Sequence, residues 1–66
     1  PDKQLSNREK EILRLIRQGF LSKEIAYQLG VSIYTVNNHR KNILSKLDAN
    51  NIMEAIHIVE NLGIYL

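Results

Sequence analysis

Tyr34, Asn37, Asn38, Lys41 and Ser45 follow one another at intervals of three, one, three and four residues. At about 100° per residue, a helix gathers all five between about 100° and 200° from Val36. The set holds amide and hydroxyl groups, one cation and no carboxylate. A carboxamide can pair bidentately with adenine N6 and N7, and an ammonium suits guanine or a phosphate, so this is chemistry for base edges and the DNA backbone. An ordinary solvated face would include a Glu or Asp, yet none occurs from Ile33 to Leu47. Val36, Ile43 and Leu47 fall within about 40° of one another on the other side and form the stripe that must be buried.

The elements that position this face are written in the neighbouring residues. Ala26, Gly30 and Val36 stand four and then six residues apart. Two helices crossing through a short turn need a small residue for close approach, a glycine free to take positive φ, and a branched apolar plug. That pattern predicts a helix-turn-helix at about residues 22–41, with Gly30-Val31 as the turn and Ser32 as N-cap of a third helix running to Leu47. Upstream, Ser6 with Glu9 is a capping box. It opens a first helix that turns Ile12, Leu13 and Ile16 inward and ends at Gly19. A second helix over residues 23–29 buries Ile25, Ala26 and Leu29. After Asp48-Ala49-Asn50 breaks the pattern, Asn50 or Asn51 caps a fourth helix ending near Gly63. Its core strip is Ile52, Ala55, Ile56, Val59 and Leu62. Met53, His57, Glu60 and Ile64 lie beside that strip, on a mixed face that could meet a twin.

Sixty-six residues with 44% hydrophobic side chains and no cysteine allow one small all-α domain, bundle-like, without disulfide or thiolate support. No apolar run approaches the ~20 residues of a membrane span. The chain begins at Pro1, which fits a domain cut from a longer protein. Net charge is +2, but residues 1–47 carry +5 and residues 48–66 carry −3 without a single Lys or Arg. A basic body with an acidic last helix can offer one side to phosphate and the other to something else. No paired carboxylates, no glycine-rich phosphate loop and only two isolated histidines are present. An enzyme is therefore not expected, and no cofactor, catalytic residue or metal site is assigned.

Three stretches, residues 5–13 (LSNREKEIL), 22–39 (SKEIAYQLGVSIYTVNNH) and 43–47 (ILSKL), with MEAI at 53–56, together resemble the LuxR-type, or GerE-type, helix-turn-helix domain of bacterial transcription regulators. The resemblance covers nearly the whole chain. It implies a four-helix DNA-binding domain, the C-terminal output part of a regulator with a sensory or phospho-receiver domain before it. It also implies a cytoplasmic, nucleoid-bound protein that dimerises through helix four (Met53, His57, Glu60, Ile64), with double-stranded DNA, a second copy and RNA polymerase as partners. Carried across residue by residue, Lys23 lies near phosphate at the start of helix two. Ser32 and Thr35 lie at the start of the recognition helix, with Thr35 on a phosphate. Asn37, Asn38 and Lys41 face bases, and Lys46 points toward the DNA backbone; Tyr34 joins the DNA-binding set through its place on the exposed face of the wheel.

Departures from the family pattern change the expectations. Asn37 stands where the family has Lys, so the preferred sequence should differ from that of typical members. Leu21 stands where a small polar residue caps helix two. Ile52 replaces an Arg that would pair with helix one, at Glu9. His39, about 60° from the buried stripe, reads as a packing or phosphate-touching imidazole, and Arg40 as a stem lying over apolar surface. Glu24 fits the positive end of helix two. Two alternatives remain open at this point: a promoter-reading end region of a sigma factor, and a protein-interaction module that kept the fold but lost DNA.

Overall fold

Each helix starts where a side chain can take up a free backbone N–H, and each ends where the chain can enter the left-handed region. The computed structural model describes residues 4–64 and Leu66; Pro1–Lys3 and Tyr65 lie outside the described residues. It contains α1 (Asn7–Arg17), α2 (Ser22–Leu29), α3 (Ile33–Leu47) and α4 (Ile52–Asn61), and no strand among the described residues. At α1 the capping box is complete: Glu9 N–H donates to Ser6 Oγ at 3.1 Å and Ser6 N–H donates to Glu9 Oε1 at 2.8 Å. Ser32 caps α3 by accepting from Thr35 N–H at 3.0 Å, and Asn51 caps α4 by accepting from Glu54 N–H at 2.8 Å. Leu21, at the N-cap of α2, has no acceptor to offer. There Glu24 supplies half of the box, its Oε1 taking Leu21 N–H at 2.7 Å.

The four ends share one device. A residue of positive φ follows each helix, and the next N–H reaches back to the carbonyl five residues earlier: Phe20 to Leu15, Val31 to Ala26, Ala49 to Leu44 and Ile64 to Val59, at 2.9–3.1 Å. Glycine fills the turn three times. Asp48, with φ 54°, fills it after α3. The last of these turns brings Ile64 back onto the core.

Ile12, Leu13, Ile25, Val36, Ile43 and Val59 are fully buried, and Leu5, Leu15, Ala26, Ala55 and Ile56 complete the core. Each large aliphatic side chain contributes about 1.5–3 kcal/mol by leaving water. The first-helix stripe is displaced slightly from expectation, because Leu15 is buried while Ile16 is half-buried. Leu29 and Leu47 are also half-buried. Leu62, placed on the core strip of α4 by its spacing, is 66% exposed, since α4 stops at Asn61 and Leu62 is already in the cap. α3 is the centre of the assembly, packed against α1, α2 and α4. One side of α3 is therefore held from three directions, and the other is left open.

Candidate nucleic-acid interface

The open side of α3 carries Tyr34, Asn37, Asn38, Lys41 and Ser45, all exposed, while Val36 and Ile43 beneath it have no accessible surface. This is the separation the wheel requires, and it fixes the face as rigidly as the core is packed. Tyr34 stands 78% exposed at the N-terminal end. Ile33, to which the spacing assigns no role, is 48% exposed beside it. Its neighbours on the exposed face are the signal that could have singled it out.

The α3 N-terminus is electrostatically unlike the other three. α1, α2 and α4 each carry a glutamate in the first turn, at Glu9, Glu24 and Glu54, and α3 carries no acid there. The partial positive charge of its free N–H groups is thus uncancelled by a side chain. Ser32 Oγ and Thr35 Oγ1 lie 3.0 Å apart. One hydroxyl donates to the other, so the pair keeps one further proton for an outside acceptor. Lys23, at the second position of α2, is exposed. His39 and Arg40 are half-buried at the edges of the face.

Lys46 has a partner within the domain. Its Nζ donates to Glu9 Oε1 at 2.8 Å, joining the end of α3 to the first turn of α1. Glu9 is only 4% exposed. Burial pushes its carboxyl up, but the Lys46 hydrogen bond, the Ser6 N–H and the Lys46 charge outweigh burial and hold it below the ordinary value. The expectation that Lys46 points to the DNA backbone therefore meets a competing partner inside the domain. The partner that Glu9 lacks at Ile52 is supplied from α3 instead.

On α4, Met53 is 74% exposed and His57 and Glu60 are exposed along the same side. Glu60 comes within 4.0 Å of Arg17 on α1, a contact between exposed groups that contributes little. Ile64 does not join this strip. It lies past Gly63 (φ 70°), half-buried and packed against the core. Extrapolating the helix beyond its true end is what placed it outside.

A rigid crossing of α2 and α3 around Ala26, Gly30 and Val36, with an outward acid-free face on the second helix, defines a helix-turn-helix domain. The family description "Bacterial regulatory proteins, luxR family" (GerE) matches residues 3–59. The chain belongs to that family, whose helix-turn-helix domains bind DNA in transcription regulators. It is 48% identical over 63 residues to the response regulatory protein YgeK of Escherichia coli K12, covering 96% of this chain and 43% of YgeK. It is 43% identical over 53 residues to the transcriptional regulatory protein UhpA of Salmonella typhimurium LT2, covering 80% of this chain and 27% of UhpA. The chain thus spans less than half the length of these curated relatives. The solved structure of the transcription factor GerE superposes with a TM-score of 0.86 at 37% identity, covering 89% of this chain and 88% of that one.

Proposed function

We propose that this chain is the DNA-reading output domain of a longer bacterial regulator, seating α3 in the major groove of a specific duplex. The observation that carries the reading is the outer face of α3: five exposed side chains without a carboxylate, fixed from behind by Val36 and Ile43. Asn37, Asn38, Lys41 and Tyr34 take base edges in this reading. Lys23, Thr35 and Ser32 take phosphates, the last two through the proton their paired hydroxyls have left over. Lys46 is assigned to Glu9. The response regulators among the relatives support a receiver domain upstream, and a cytoplasmic setting follows from binding the bacterial chromosome. A second copy is proposed to meet this one through α4 at Met53, His57 and Glu60, because α4 has no Lys or Arg and is repelled by phosphate. Membership of the luxR family supports this reading over the sigma-factor one.

Fluorescence anisotropy on duplexes at several salt concentrations tests this directly. Affinity should fall steeply with salt, and Lys23→Ala should weaken all sequences alike while reducing the salt slope by about 1. Lys41→Ala and Asn38→Ala should change which sequences are preferred. Salt-insensitive binding, or none, would favour a protein-interaction module on the same fold.

A further inference from the structure

Along its axis the outward face of α3 changes chemistry in order. Ile33 and Tyr34 offer apolar and aromatic surface at the N-terminal end, 48% and 78% exposed. One turn later come the carboxamides of Asn37 and Asn38, and one turn after those the ammonium of Lys41, all exposed. From Tyr34 to Lys41 the helix advances about 10 Å, or about three base-pair steps of B-DNA at 3.4 Å each.

Resting on the reading that α3 enters the major groove, we propose that this face selects adenine–thymine pairs. A carboxamide of Asn37 or Asn38 pairs with adenine N6 and N7, and Tyr34 with Ile33 covers the 5-methyl group of a neighbouring thymine. Three features support this. An Asn side chain sets one acceptor beside a donor pair, which complements the N6 donor and N7 acceptor of adenine; guanine shows two acceptors, N7 and O6, which a single amide meets on one side only. The five exposed side chains of the stripe, Tyr34, Asn37, Asn38, Lys41 and Ser45, include no arginine and no acid, and Arg40 is half-buried at its edge. On the stripe itself guanine then has Lys41 as its one cation, and the cytosine amino group finds no carboxylate. Finally, exposed aliphatic and aromatic surface gains by being covered, and the thymine methyl is the apolar group that the major groove presents.

The test begins with selection of bound sequences from a random duplex library, followed by anisotropy on the enriched half-site with single-base analogues. Adjacent A·T pairs should dominate the enriched half-site. Deoxyuridine for one thymine removes only the methyl; it should weaken binding about fourfold and have no further effect in Tyr34→Ala. Tyr34→Phe should behave as wild type if the ring makes the contact. At one adenine, 7-deazaadenine should weaken binding about fivefold or more, and that loss should vanish in Asn37→Ala or Asn38→Ala. G·C pairs throughout the enriched half-site, or affinities unmoved by both analogues, would overturn the A·T inference while leaving DNA binding intact. Salt-dependent binding to no duplex in the library would instead overturn the placement of α3 in the groove, and the inference with it.

Discussion

Replacing Lys46 by Met removes the cation beside Glu9 and keeps an apolar stem of similar length. The magnitude follows from the geometry. Nζ and Oε1 are 2.8 Å apart, the Glu9 side chain is 5% exposed and that of Lys46 is 30% exposed. A hydrogen bond to a charged group contributes about 1.5–3 kcal/mol. Breaking a fully buried pair costs about 3–5 kcal/mol, and the opening at Lys46 screens this one below that. A loss of about 2 kcal/mol is expected, which lowers Tm by about 8–16 °C in a domain of this size. The pH dependence adds a second signature. Glu9 has its folded pKa lowered, so its contribution is present above the unfolded value of about 4.3. It is lost as pH falls through the lower folded value. In Lys46→Met the burial acts without the cation and the carboxyl moves up. The gap between the two proteins should therefore be widest near neutral pH and close as the solution is acidified below about pH 4. Thermal unfolding followed by circular dichroism from pH 3 to 7 measures this. An unchanged Tm, or a gap independent of pH, would refute the reasoning. A loss of DNA affinity without a loss of stability would return Lys46 to the phosphate backbone.

Other expectations follow from single residues. Gly30 has φ 69° and nothing within 4 Å of an added Cβ, so Gly30→Val costs only conformational strain, about 1–2 kcal/mol in urea unfolding. Asp48 holds φ 54° at the end of α3, where an acid also opposes the helix dipole. Asp48→Gly should stabilise by about 0.5–1 kcal/mol in the same assay. Met53→Asp should weaken binding to a duplex with two half-sites far more than to one half-site, because only a pair uses that face, and should leave the circular dichroism spectrum unchanged. Equal losses in gel-shift titrations on both duplexes would move the dimer contact away from α4.

What the sequence made legible was whatever depends on near neighbours. Ser6 with Glu9, Ser32 and Asn51 announce three helix starts because a cap acts over three residues. The 3.6 period separates Val36 and Ile43 from Asn37, Asn38 and Lys41 because one helix is rigid. Less is legible where a tertiary partner or a helix end decides. Lys46 lies about 80° from the buried stripe, a position from which a long stem can reach either way, and its partner is 37 residues distant. Ile64 and Leu62 were laid on a helix that had already ended. The half-cap at Leu21 depends on Glu24 alone, which the missing hydroxyl obscured.

The central claim is that the acid-free face of α3, with the start of α2, is where duplex DNA binds. Titrating the isotope-labelled protein with an enriched duplex and following amide and side-chain NMR signals tests it residue by residue. The expected result is concentrated change at Lys23, Thr35, Tyr34, Asn37, Asn38 and Lys41, including the carboxamide protons of both asparagines, with α4 around Met53 and His57 little affected on a single half-site. Shifts centred on α4, or an α3 face that stays silent while the duplex is bound, would contradict it.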